Sequence, residues 1–195
     1  MANNLLGARA KLVNIRAGIK QRGVTLLELI AGLAVMAVIV VGALALFNAA
    51  NTAQRGTQLT QDITALRSAV TQLWMGQGTF STGSLNVPLI ASGRIPATLR
   101  ATGNVLNHPT GTIDVVGGGS SFHLVVTGLP QSVCMDVLTS ATGWSGVRIA
   151  QPATPPAQGT QLIGGVTRTM PISPVDAASA CTGTTNNNAI QFTGS

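Results

Sequence analysis

The sequence predicts an α+β fold in which a long N-terminal α-helix, half transmembrane and half amphipathic, packs on a small antiparallel β-sheet. Three observations carry this. The stretch from Leu29 to Phe47 is an uncharged apolar run of 19 residues, about the length of a helix that crosses a bilayer. Leu59, Ile63, Leu66, Val70 and Leu73 then recur at alternating steps of four and three, with polar residues between them, which is one buried stripe on a helix. Beyond Gly78 the chain is rich in Gly, Ser, Thr, Asn and Pro around short apolar segments, the texture of a small-stranded domain.

In chain order, residues 1–23 carry no amphipathic pattern and read as a targeting leader. Arg9, Lys11, Arg16, Lys20 and Arg22 are five of the eleven basic residues, and no acidic residue precedes Gly23. The net charge of +6 therefore belongs mostly to the leader, since the rest of the chain has six arginines against five acidic residues. Basic residues on this flank of an apolar run hold it in the cytoplasm and send the polar bulk across the membrane. A secretory signal would have a shorter apolar core followed by a small-residue cleavage site, whereas here the glycine precedes the run. Cleavage at Gly23 would leave the hydrophobic helix on the mature protein.

A helix is expected from Val24 to Met75. Gly32 and Gly42 within it permit close helix approach or simply fill the bilayer. Gly56 is a position where the helix could kink, and Gly76 and Gly78 stop it. Glu28 is the single charge near the front of the apolar run, costly in lipid unless paired. The expected division is 1–23 leader, 24–55 hydrophobic helix half and 56–195 globular head.

In the head, Ser84 to Leu99 reads as a connecting loop with one helical turn. Thr112–Val116 and Ser121–Thr127, separated by Gly117, Gly118 and Gly119, read as an antiparallel hairpin. Gln131–Ser140 is expected to be a short helix carrying Cys134, and Gly146–Ala150 a strand. The segment QPATPPAQGTQ is expected to be an irregular surface loop. Ser173 should open a helix over SPVDAASAC, with Pro174 at its first position and Asp176 at the positive end of its dipole. Ala189–Thr193 should be a terminal strand.

Catalytic chemistry has no foothold in the pattern. The five acidic residues are scattered, and His108 and His123 have no motif partner. GGGSSF lacks the Lys-Ser/Thr of a phosphate loop, and no metal or cofactor site is expected. Aromatics are 3% of residues with no tyrosine, so a stacking surface for nucleic acid is not expected. Trp74 and Trp144 read as packing residues. The two cysteines, Cys134 and Cys181, both lie in the exported part, where an even pair forms one disulfide.

The junction QRG/VTLLELI resembles the prepilin signature of the type IV pilin family: a basic leader ending in Gly23, a hydrophobic first mature residue at Val24, and a glutamate, Glu28, at the fifth mature position. The long leader, the valine at the mature start and the cysteine pair bounding the C-terminal region are similar to the type IVb branch, which includes the bundle-forming and toxin-coregulated pilins. LWMGQGTFSTGSL from Leu73 to Leu85 is similar to that branch too. The resemblance implies a non-enzymatic structural subunit, cut by a membrane-embedded prepilin peptidase between Gly23 and Val24 and N-methylated on Val24. It implies an inner-membrane prepilin that the pilus assembly machinery extracts into a homopolymeric extracellular fibre on a Gram-negative-type cell, for attachment, aggregation or cell–cell contact. Glu28 would there meet the amine of an adjacent subunit's Val24, a pairing that fixes register. Two other readings stay open: a minor pilin or secretion pseudopilin, and an anchored periplasmic binding module or adhesin that never polymerises.

Overall fold

The computed structural model describes residues 25–152, 154–183 and 186–195. The leader, Gly23 and Val24 lie outside these residues. Helix α1 runs over Leu26–Leu73 as 48 continuous residues. The chain separates into two compact units that divide between Leu44 and Ala45.

In the first unit the residues of α1 are exposed on every side. In the second, Leu59, Ile63, Leu66 and Val70 are buried and Leu73 is half-buried, so the expected stripe faces the core. The helix runs unbroken through Gly56. This glycine is buried, and a Cβ there would lie 3.1 Å from the Asp136 Cβ, so its missing side chain lets α1 approach the helix that carries Asp136.

The rest of the second unit is built from β1 (Phe80–Ser84), α2 (Asn86–Ala91), β2 (Arg100–Thr102), β3 (Val105–His108), β4 (Gly111–Gly119), β5 (Phe122–Leu129), α3 (Gln131–Ser140), β6 (Gly146–Ala150), β7 (Val166–Arg168), α4 (Pro174–Ala180) and β8 (Asn188–Gly194). The strands form one eight-stranded sheet ordered β2-β3-β4-β5-β8-β6-β7, with β1 pairing β4, and all its pairs are antiparallel. The expected hairpin, α3, β6, the helix after Ser173 and the last strand are all present. Strands β1, β2, β3 and β7 were not expected from the sequence, and α2 is a six-residue helix where a single turn was expected.

The strands follow from period-two patterning. Phe122, Leu124 and Val126 of β5 and Ile190 and Phe192 of β8 join the core with the α1 stripe. His123, Val125 and Thr127, with Gln191 and Thr193, alternate onto the other face, called the outer face below. The aromatic residues Trp74, Phe80, Phe122, Trp144 and Phe192 touch in sequence through the core with ring centroids 5.0 to 6.4 Å apart. Arg67 lies over the Trp144 ring, 5.3 Å from its centre. Both tryptophans therefore pack, as their isolation in the sequence led one to expect.

One expectation needs correction. The triple glycine is not the hairpin turn; Gly117, Gly118 and Gly119 belong to β4. A Cβ at Gly117 would sit 1.7 Å from the Ser81 carbonyl oxygen, so the glycine is there to let β1 come alongside. Strands β1 and β3 share the same edge of β4, meeting it at residues 116–119 and 111–113. Asn86 spans the gap between them: wholly buried, it accepts the Val115 N–H at 3.0 Å and donates to the Asn104 carbonyl at 3.0 Å. A ladder bond missing from the sheet is thus supplied by a side chain.

Candidate functional site

The N-terminal end of α1 is built from Thr25 inward. The Thr25 carbonyl accepts the Leu29 N–H at 3.1 Å, the first helical bond among the described residues, and its side-chain oxygen accepts the Glu28 N–H at 3.3 Å. Thr25 is therefore the N-cap, and Glu28 stands three residues on, the spacing of a capping box. The expected start at Val24 lies outside the described residues; the T-x-x-E spacing of Thr25 and Glu28 is the sequence signal of this cap. A carboxylate in the first turn also faces the positive end of the helix dipole.

From Leu29 to Phe47 nothing polar interrupts the surface of the helix. Its mean hydropathy reaches 2.8 over an 18-residue window that is 0% buried, long and apolar enough to cross a membrane. Gly32 and Gly42 have nothing within 4 Å of where a Cβ would stand, so neither is a cradle for this chain's own atoms. Leu26, Leu33, Ile39, Leu46 and Phe47 are all exposed. Such a surface is unstable in water and needs lipid or protein around it.

At the other end of the chain Cys134, on α3, and Cys181, at the C-cap of α4, form a disulfide with Cα atoms 6.0 Å apart and both residues wholly buried. It closes a segment of 47 residues, which on the chain-entropy account stabilises by about 4 kcal/mol. Helix α4 starts as expected: Ser173 caps it by accepting the Asp176 N–H at 3.1 Å, with Pro174 in the first turn. Among the described residues no three His, Cys, Asp or Glu side chains gather as a metal site.

The two histidines have settled partners. His108 Nε2 donates to the Thr127 carbonyl at 2.8 Å, and burial lowers its pKa below 6.5 despite that bond. Burial, with Arg148 adding to it, lowers that of His123 as well. Asp62, on the buried half of α1, accepts the Thr98 hydroxyl, yet burial raises its pKa above 3.8. His108, Asp62, Thr98 and Arg55 line a cavity of about 40 Å³.

The family model described as PilS N terminal matches residues 53–195, and the prokaryotic N-terminal methylation motif matches residues 19–44. The chain belongs to the PilS family of type IV pilins. A pilin is a structural protein, and the motif is that of a subunit which is processed at its N-terminus and polymerises. Two solved structures share the fold of this pilin. TcpA, a type IV pilin from Vibrio cholerae El Tor biotype, matches at 19% identity over 73% of this chain and 99% of that one, with a TM-score of 0.54. The type IVb pilin from Salmonella typhi matches at 22% identity over 68% of this chain and 95% of that one, with a TM-score of 0.50. No curated protein sequence matches the chain significantly. The long helix on an antiparallel sheet and the disulfide between Cys134 and Cys181 are those of a pilin.

Proposed function

We propose that this pilin is the major subunit of a type IVb pilus, polymerising through α1 after the leader is removed between Gly23 and Val24, with Val24 N-methylated. The observation that supports this most is the exposed apolar half of α1. In the inner membrane lipid covers it, and in the extracellular fibre the same half of neighbouring subunits does. The peptidase and assembly machinery act at the membrane, and the division into leader 1–23, hydrophobic half 24–55 and head 56–195 follows that life history.

Glu28 is the assembly contact in this reading. Its carboxylate is costly in lipid and finds a cation in the Val24 amine of an adjacent subunit. Its place in the first helical turn, three residues beyond the Thr25 cap, supports a contact with an amine presented at that end. The minor-pilin reading differs in abundance and place rather than in chemistry.

The test is Glu28→Ala in the producing cell. Sheared surface fibre should fall to a small fraction of wild type while the leader is still removed, as read by the mass of the mature chain. Unchanged fibre yield would overturn the major-subunit reading. Fibre in which this chain is a trace component would make it a minor pilin.

A further inference from the structure

Strands β6 and β7 are hydrogen-bonded neighbours, yet 15 residues, 151–165, join them. A hairpin needs two to five. Residues 154–165 lie as a strap on the outer face of the sheet, held by side chains. Gly159 N–H donates to Asp114 of β4, and the Gln158 amide donates to the Asn104 carbonyl. The Leu162 carbonyl accepts from Arg148 of β6 at 2.8 Å, and the Leu162 N–H donates to Gln191 Oε1 of β8 at 2.6 Å. Leu162 is the strap's single buried residue, packed with Ala150 and Ala189. A segment with so little apolar burial and no ladder of its own belongs to the low-stability end of a fold.

The bonds around Gln191 leave one arrangement of hydrogens. A backbone N–H can only donate, so the amide atom facing Leu162 is the oxygen. The amide nitrogen is thereby turned to His123 Nδ1, 3.2 Å away. It too can only donate, so Nδ1 presents its lone pair and the ring proton sits on Nε2. The Thr193 hydroxyl lies 3.1 Å from the same nitrogen.

We infer that His123 is a proton-operated catch for the strap: when Nδ1 takes up a proton from solvent it can no longer accept from the Gln191 amide, the amide turns over to offer its oxygen, the Leu162 N–H loses its acceptor, and residues 154–165 lift from the sheet. Turned over, Gln191 would point its NH₂ at the Leu162 N–H, donor against donor. The groups facing the ring are Gln191 and Thr193 of β8, Gly118 of β4 and Arg148 of β6, and Arg148 is the charged one among the described residues. An imidazolium beside Arg148 repels the guanidinium that holds the Leu162 carbonyl, so both bonds to Leu162 weaken together. Burial, with Arg148 adding to it, lowers the ring's pKa, so the release lies on the acid side of 6.5. Asp114, at the other end of the strap, is a separate titrating group whose pKa burial raises.

The experiment is hydrogen exchange followed by mass spectrometry on the full chain in detergent, at about pH 7.5 and about pH 5.0, with protection factors corrected for the intrinsic pH dependence of exchange. Peptides covering 154–165 should lose roughly tenfold or more protection at the lower pH while those of β5 and β8 keep theirs. His123→Gln, which cannot be protonated, should remove the loss, and Asp114→Asn should retain it. An NMR titration of the wild-type His123 ring supplies a readout that needs no variant: its midpoint should coincide with that of the strap's release. Undiminished strap protection at about pH 5.0, an equal loss in His123→Gln, or a ring midpoint more than about one unit from the release would each overturn the catch.

Discussion

The two halves of α1 are equally helical and both rich in leucine, isoleucine and valine, but among the described residues only one has partners. Between Leu59 and Val70 the apolar residues keep to one stripe, and the sheet and α3 bury it. Between Leu29 and Phe47 they cover the whole circumference, and all are exposed. Helical periodicity therefore tells whether a helix expects a one-sided partner or an all-round one. A stripe is met by a domain, whereas a full coat is met by lipid or by a bundle of like helices.

Paired substitutions sharpen the contrast. Leu66→Ala, at a fully buried position, should cost the head about 2–5 kcal/mol. Leu33→Ala, on the exposed half, should leave the head's unfolding midpoint within about 0.5 kcal/mol of wild type. Thermal or denaturant unfolding in detergent, followed by tryptophan fluorescence, measures both. Equal losses would mean the halves are not independent.

The glycines make a second pair. Gly56→Leu would push α1 from Asp136 and should cost about 1–3 kcal/mol, while Gly42→Ala meets nothing and should leave the head unchanged. At the start of the exposed half, Thr25→Ala removes the cap and should destabilise the first turn by about 0.5–2 kcal/mol, read as faster amide exchange at residues 26–29.

The smallest effect is that of pH, and it belongs to the buried half and the sheet behind it. His108 has a lowered pKa, so its neutral form supports the fold above about 6.5 and that support is lost as pH falls through its folded value. Asp62 and Asp114 have raised pKa values, so their contribution runs the other way, present below about 3.8 and lost as pH rises through their folded values. The His108 share should appear as a dip in head stability once pH falls below about 6.5, against the opposite trend of the two aspartates, and His108→Gln should make the dip shallower. A dip of the same depth in that variant would assign it elsewhere.

Both halves of α1 were legible because helical period and charge are local properties of the chain. So were the β4–β5 hairpin, α3 and α4, the last marked by its Ser173 cap and Pro174. Strands β2, β3 and β7 have three or four residues each and draw their identity from neighbours, which no local pattern records. The glycines of β4 misled because glycine marks both a turn and a close approach of two backbones, and only the position of Ser81 decides between them. The N-terminal methylation motif over residues 19–44 was legible, and the T-x-x-E spacing of Thr25 and Glu28 also carried the cap that the helix displays. The catch at His123 was invisible, since Leu162, Gln191 and His123 are brought together only by the sheet.

Strand β8 is the last of the sheet in sequence, yet it lies between β5 and β6, near the middle. The parts of the sheet on either side of β8 are joined only through it, so they stay separate until Asn188–Gly194 has been made. A chain that stops short of Asn188 leaves the sheet in two pieces with bare edges at its centre, so truncation there should cost the head its cooperative fold.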